Sequence, residues 1–409
     1  MKALRMVGSD DNRWRRNLAV CFFGSFSTVL AMTLMLPFLP LYVEQLGVSG
    51  HAAIVQWSGI AFGATFVTAG LFAPMWGYLG DRYGRKSMLI RASFGMAIMV
   101  ALMGFVANIW QLIALRLLVG LAGGYSSGAT ILIAEQSPRS RSGWALGVLA
   151  SGVMAGNLIG PLVGGILPPI IGIRATFWCA ATVIFVAFLA TAFLVHEAPS
   201  KSEAHATQGH WGEIPDKNKV IAMLLTGLLL TIANMSIEPI ITVYVQSLIE
   251  DRQRVTFVAG LVMSAAALGS VLSASQLGKL ADRIGYTVVI TGALAFAALL
   301  LIPQAFVTSG WQLIGLRFLM GISLGGLLPC ITAVIRHSVP NAYIGRALGY
   351  SISFQFAGQV VGPLVGGFVG GHAGMRYVFV VTSGLLLLGA FYSWWALDVA
   401  PSSKPSSRH

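Results

Sequence analysis

The chain states nearly the same pattern twice, about 200 residues apart, in a sequence too apolar to build a water-facing surface. Gly77, Leu79, Asp81, Arg82 and Gly84 return 201 positions later as Gly278, Leu280, Asp282, Arg283 and Gly285. At that offset Trp110, Gln111, Leu112, Ile113, Arg116 and Gly120 return as Trp311, Gln312, Leu313, Ile314, Arg317 and Gly321. Pro37 and Tyr42 match Pro239 and Tyr244 at an offset of 202, and Gly160 to Gly165 (GPLVGG) returns whole as Gly362 to Gly367. Duplicated membrane halves build machines that rock one half against the other around a central site.

Of the 409 residues, 56% are hydrophobic and 10% charged, against roughly 25% charged in soluble proteins. Runs long enough to cross a bilayer as helices lie at about 17–43, 53–78, 88–107, 110–134, 144–168 and 175–195, and again at about 220–245, 255–278, 286–306, 311–335, 344–370 and 376–397. That predicts an all-α membrane protein of twelve helices in two pseudo-symmetric six-helix bundles, 1–196 and 219–409, joined by a polar linker at 197–218. A net charge of +12 would suggest nucleic acid in a soluble protein, but here the basic residues sort by side. Lys2, Arg5, Arg13, Arg15, Arg16, Arg82, Arg85, Lys86, Arg91, Arg139, Arg141, Lys201, Lys217, Lys219, Lys279, Arg283, Arg336, Arg346, Lys404 and Arg408 fall on one side; Arg174, Arg252, Arg254 and Arg376 fall on the other. By the positive-inside rule the first side, with both termini, is cytoplasmic. The charge therefore sets topology and implies no nucleic-acid partner.

Cys21, Cys179 and Cys330 all lie in spans, so neither a disulfide framework nor a zinc site is encoded. His205 and His210 in the linker have no carboxylates or thiols beside them to complete a metal site. The linker is too short for a folded domain, and no enzyme-like constellation or cofactor motif is visible. GDRYGRKS at Gly80 to Ser87 lacks the spacing of a phosphate loop and follows no strand.

Glycine repeats every fourth residue at Gly152, Gly156, Gly160 and Gly164, and again at Gly358, Gly362, Gly366 and Gly370. That spacing bares one helix face, where another backbone can come close. Gly59, Gly63, Gly260 and Ser264 on the second and eighth spans are candidate partners. Ordinary tight packing would suffice, but Pro161 and Pro363 inside the ladders add kink sites that suit moving helices.

Gly77 to Leu89 reads GYLGDRYGRKSML and resembles the loop signature of the major facilitator superfamily at every defining position. The stretch Gly160, Pro161, Gly164 and Gly165, with Gly156 before it, resembles that superfamily's antiporter motif in drug:proton exporters, and Gly362, Pro363 and Gly366 repeat it. The resemblance implies twelve helices, alternating access, and a monomeric exporter of small-molecule drugs in the bacterial inner membrane, driven by protons. It also implies that Gly77, Asp81, Arg82, Gly84, Arg85 and Lys86 form a cytoplasmic latch that holds the outward-facing state, unless these charges only fix topology. Glu135 is positioned to join as an ion-pair partner. The second copy keeps Asp282 and Arg283 but has Tyr286 and Thr287 where the first has Arg85 and Lys86, so it should be the weaker latch.

Charges inside the membrane are costly and informative. Arg116, Arg317 and Glu238 share a depth, roughly 9 Å below the outer boundary at 1.5 Å per residue. Only Glu238 among them can exchange a proton, because guanidinium stays protonated; a purely structural ion pair is the alternative. The family often carries an acidic residue in its first span, and this chain has none between Asn17 and Val43. Weight moves to Glu238, with Asp81, Glu135 and Glu44 as alternatives. Two arginines against one carboxylate argue against a cavity tuned only for cationic drugs. For substrate contact the candidates are Asn157, Asn234, Gln355 and Gln359 as hydrogen-bonding groups, with Met35, Phe38 and Phe354 as adaptable apolar surface. A carrier for one defined metabolite or sugar, or a non-transporting membrane receptor, is the rival reading.

Overall fold

The computed structural model describes residues 2–138, 140–197, 217–340 and 343–398, with side chains from 13 to 396. Most of the expected linker, including His205 and His210, lies outside the described residues. Every regular element among the described residues is helical. Twelve helices are long and apolar enough to cross a membrane, the first half using Arg13–Gln45, His51–Tyr83, Arg85–Met103, Ile109–Gln136, Ser142–Ile171 and Ile173–Leu194. The second half uses Lys217–Leu248, Val255–Ile284, Tyr286–Gln304, Gly310–Ser338, Ile344–His372 and Met375–Ala396.

The repeated residues turn out to do repeated structural work. Gln111 accepts a hydrogen bond from the Ala107 N–H at 2.8 Å, while Asn108 accepts from the Gln111 N–H at 3.0 Å, a reciprocal cap at the start of the fourth span. Gln312 accepts from the Thr308 N–H at 2.9 Å at the tenth. Beside them Trp110 and Trp311 are exposed, as membrane-interface tryptophans are. Tyr42 donates to the Met103 carbonyl at 2.6 Å, and Tyr244 to the Gln304 carbonyl at 2.8 Å. Each tyrosine thus satisfies an orphan carbonyl at the end of the third or ninth span.

Three spans are interrupted. Pro37 and Pro40 break the first into Lys2–Leu34, a 3-10 turn Leu36–Phe38 and Leu39–Gln45, since neither proline offers an N–H to the helix ladder. The fourth breaks at Gly123 and Gly124, and the tenth at Gly325 and Gly326. The carbonyls freed in the fourth are used by Arg91, which donates to Leu121 at 3.2 Å and Gly123 at 3.0 Å, and by the Trp76 indole, which donates to Leu121 at 2.9 Å. The guanidinium also lies 3.5 Å over the Trp76 ring.

Within each half the pairing is equivalent: first span on fifth, second on fourth, third on sixth, then seventh on eleventh, eighth on tenth, ninth on twelfth. The halves meet along two seams, second against eleventh and fifth against eighth. These seams are tight towards the end away from the basic loops. There Gln56 and His372 lie 3.1 Å apart, and Thr242 donates to the Pro37 carbonyl at 2.9 Å. Thr256 donates to Gly165 at 3.1 Å and Ser264 to Leu158 at 2.7 Å. Among the described residues no hydrogen bond joins the halves at the basic end. The molecule is closed at one end and open at the basic one.

Candidate functional site

The ladders differ from the sequence expectation in their partner. Gly152, Gly156, Gly160 and Gly164 bear on Phe22, Phe26, Leu30 with Thr33, and Leu34, all of the first span. Gly358, Gly362 and Gly366 bear on Thr231, Met235 and Ser236 of the seventh. A Cβ at Gly370 would meet Ile240 of the seventh at 3.1 Å and also Val55 of the second, in the opposite half, at 3.2 Å; the other seven bind each half internally. Gly59, Gly63, Gly260 and Ser264 do lie against the fifth or eleventh span, but on its other face: a Cβ at Gly260 would overlap the Pro161 carbonyl and come within 3.3 Å of the Gly165 Cα, and one at Gly59 would overlap the Pro363 carbonyl. The motif splits, its four-spaced glycines holding a half together and Pro161, Gly165 and Pro363 meeting the opposite half.

At the loop signature, Gly84 and Gly285 have φ of +90° and +97°, a conformation that favours glycine, and each forms the single-residue turn between two consecutive spans. Asp81 and Arg85 form an ion pair across the Gly84 turn. In the second copy Tyr286 replaces that arginine and donates to Asp282 at 2.6 Å. Arg82, Lys86 and Arg283 lie around this open end. Glu135 is exposed and makes no ion pair among the described residues. The acid that binds the loop is Glu197, whose oxygens accept from the backbone N–H of Arg85 at 2.6 Å and of Lys86 at 2.9 Å. The third span begins with Gly84 and two basic residues and has no capping side chain of its own. That missing cap was the sequence signal that an acid must come from elsewhere.

The two repeated arginines have parted company. Arg116 is 1% exposed and spent on its own half, donating from Nε to Ala61 at 2.9 Å, from Nη2 to Phe62 at 3.1 Å and from Nη1 to the Met35 sulfur at 3.0 Å. Arg317 is also buried, but its one hydrogen bond is a long contact from Nη1 to the Met320 sulfur at 3.8 Å, and its Nε has no partner. Glu238 makes no ion pair with it among the described residues. Arg116 is thus fixed within its own half, while Arg317 keeps donors to spare. Gln304, at the position where the first half has Met103, reaches the same Met320 sulfur at 3.8 Å and leaves its own buried Oε1 unbonded.

Asn234, Glu238 and Thr242 recur at i, i+4 and share one face of the seventh span. Since Thr242 touches Pro37 across the seam, Glu238 sits one turn below the seal and Asn234 two. Asn157 is exposed and lies two residues, roughly 200° around the helix, from Ile159, which with Ile166 and Ile170 forms the exposed apolar stripe turned to lipid. Gln359 has the same relation to the exposed Val361 and Phe368. Both amides face the opening, with Gln355 on the Gln359 stripe donating to Ser351 at 3.3 Å. Phe354 is partly buried on the second-half core. Met35 and Phe38 are placed otherwise than expected for substrate contacts: Met35 is 2% exposed under Arg116, and Phe38 is 0% exposed, edge-on to Phe177 at 5.4 Å. The break at Pro37 turns both into the first-half core.

Two duplicated six-helix bundles, sealed at one end and parted at the other around polar groups, define a membrane carrier of the alternating-access class. The chain belongs to the Major Facilitator Superfamily, whose profile matches residues 21–285 and 250–409. It is similar to the multidrug resistance protein MdtG of Salmonella dublin, 44% identical over 387 residues that span 94% of this chain and 96% of that protein. The MdtG of Citrobacter koseri is likewise 44% identical over 94% of this chain and 95% of its own length. Among solved structures the fold matches the nucleoside transporter NupG, with a TM-score of 0.77 at 13% identity, covering 93% of this chain and 99% of that one. A bacterial homologue of the lysosomal transporter Spinster, inward-facing and occupied, matches with a TM-score of 0.76 at 14% identity, covering 93% and 96%.

Proposed function

We propose that the protein exports assorted amphipathic small molecules across the bacterial inner membrane in exchange for protons, by alternating access. The observation that carries the substrate class is the 44% identity to the MdtG multidrug resistance proteins along 94% of the chain. With the basic end and both termini in the cytoplasm, the open cavity is the cytoplasmic one, ready to take substrate from inside the cell. Proton entry is assigned to Glu238, one turn beneath the seal and opposite Arg317. When the halves rock, that carboxyl exchanges one aqueous face for the other while Arg317, with donors unspent, remains its counter-charge. The latch group of Asp81, Arg82, Arg85 and Lys86, with Asp282 and Arg283 opposite, engages in the alternate, outward-facing state.

The test is drug-dependent proton flux in liposomes under an imposed pH gradient. Glu238→Gln keeps shape and polarity but cannot titrate, so it should abolish proton-driven accumulation and retain drug binding or exchange. Full coupling in that variant returns the search to Asp81, Glu135 and Glu44. Absence of efflux for every one of several unrelated amphipathic compounds, with one metabolite transported instead, overturns the substrate class.

A further inference from the structure

The hydrogen bonds that close the two seams are not alike. Three run from a hydroxyl to a backbone carbonyl: Thr242 to Pro37, Thr256 to Gly165 and Ser264 to Leu158. The fourth joins two side chains, the Gln56 amide of the second span and the His372 imidazole that closes the eleventh, 3.1 Å apart. Among the described residues it is the one bond between the halves that includes a titratable group. The other seam has no equivalent: Ile170 stands 202 positions before His372, and Phe257 stands 201 after Gln56. Glycine brings the pair together, since a Cβ at Gly371 would meet the Ala52 carbonyl and the Gln56 amide nitrogen, each at 3.0 Å. His372 is exposed, so water at the sealed end reaches its ring.

One ring nitrogen faces two partners. His372 Nδ1 lies 3.1 Å from the Gln56 amide nitrogen and 3.0 Å from the Phe368 carbonyl of its own helix. The amide nitrogen only donates and the carbonyl only accepts, so Nδ1 serves one of them at a time. A neutral ring with its proton on Nε2 accepts from Gln56 and bridges the halves. A charged ring carries a proton on both nitrogens, so Nδ1 donates to Phe368 and an N–H of Gln56 is left pointing at another N–H. The carbonyl and the Phe368 ring, 4.4 Å from the imidazole, both belong to the eleventh span, so a charged His372 is held by its own half alone. Charged or titratable groups on the elements packed beside it at this end are His51 at the start of the second span and Arg376 at the start of the twelfth. Glu44 shares a crevice with His51, and Glu238 lies deeper on the seventh span, which presents Ile240 to the neighbouring Gly370. None of these four bonds to the imidazole among the described residues.

We infer that His372 is a second proton site of this carrier, placed at the seal, and that a proton arriving there from outside releases Gln56 and favours the outward-facing state. Histidine is the side-chain type that changes charge between about pH 5 and 8. The seam bond is therefore present where the ring is neutral and is lost as the outside pH falls. By linkage the outward-facing state binds that proton more tightly by the same factor. The inference takes from the proposed function only that the sealed end faces outside.

Nitroxide labels at Ser49→Cys and Gln253→Cys, exposed positions on opposite halves near the seal, report the outer separation by double electron–electron resonance, with Cys21, Cys179 and Cys330 replaced. The protein also carries Glu238→Gln, so the coupling carboxyl adds no pH response and a failure here leaves its assignment untouched. Between about pH 8 and about pH 5.5, across the histidine range, the widely separated population should rise about 2- to 10-fold relative to the sealed one, as the loss of one hydrogen bond implies. His372→Gln, which can bond but cannot charge, should abolish the rise. Gln56→Leu should hold the widely separated population at its acid level at both pH values. Melting temperature checks that each variant is folded. Populations independent of pH, a seal that tightens in acid, or a rise that persists in His372→Gln and so belongs to His51 or Glu44 overturns the inference.

Discussion

Adding a single methyl group at Gly260 separates the two kinds of glycine in the antiporter motif. In the structure that methyl would overlap the Pro161 carbonyl oxygen and lie 3.2 Å from the carbonyl carbon, and both atoms are backbone, so no side chain can swing away. Overpacking of this kind costs about 1–3 kcal/mol. Because Pro161 belongs to the other half, the cost falls only on the conformation whose seam is shut here, and it moves the balance between the two states by about 5- to 150-fold. Replacing a helical glycine by alanine also gains about 0.5–1 kcal/mol of helix stability, but equally in both states, so it cancels from that ratio. Gly59→Ala, which would overlap the Pro363 carbonyl, should act in the same direction. Gly164→Ala is the contrast: its methyl overlaps the Leu34 carbonyl inside one half, so it should lower stability and abundance without changing the ratio. The assay is thiol labelling of a Gln359→Cys reporter from the basic end, in a background without Cys21, Cys179 and Cys330. Labelling should fall in Gly260→Ala and Gly59→Ala and stay constant per folded molecule in Gly164→Ala. Equal labelling in all three at equal abundance would refute the division.

Asp81→Asn should leave thermal stability within about 0.5 kcal/mol, since Asp81 is half exposed in its pair with Arg85; efflux at normal abundance should nevertheless fall, and normal efflux removes the latch role. Glu197→Ala deletes the cap on Arg85 and Lys86 and should cost about 0.5–2 kcal/mol, with faster hydrogen exchange confined to the start of the third span. Unchanged exchange there would mean the carboxylate does not hold the helix. Gln304→Met installs the residue the first half uses, removing a buried oxygen with no partner; unfolding in detergent should show a gain of about 1 kcal/mol, and a loss would show that the oxygen is in use.

What the sequence disclosed depended on the range over which each signal acts. Span number, the repeat and the basic-side rule are properties of continuous segments, and the twelve helices appear where apolar length placed them. The four-spaced glycines correctly marked a bare helix face, but spacing along one helix carries no information about which neighbour covers it, and so the first and seventh spans were not foreseen as partners. Phe38 and Met35 were misplaced for a related reason: Pro37 turns the end of the first span and carries both side chains out of the register a straight helix would give. Tyr42 and Gln111 were visible as repeats, yet the tyrosine's partner carbonyl is 61 residues away. Glu197 was missed because it sits at the edge of a segment read only as a linker.

The divergence of Arg116 and Arg317 bears most directly on mechanism. A duplicated fold supplies each half with the same buried guanidinium at the same depth, and a buried charge must be compensated. In the first half the second span provides two carbonyls and Met35 a sulfur, so Arg116 is a fixed strut whose hydrogen bonds all stay within one rigid body. Its surroundings need not change when the halves rock. In the second half those carbonyl bonds are not made, and the sulfur comes from Met320 one turn along. Arg317 therefore keeps donors unspent, and in the proposed mechanism Glu238 is the charge that balances it. If Glu238 couples protons as proposed, a charge must be balanced differently in the two states, and of the two arginines only Arg317, with no backbone hydrogen bonds holding it, is available for that role.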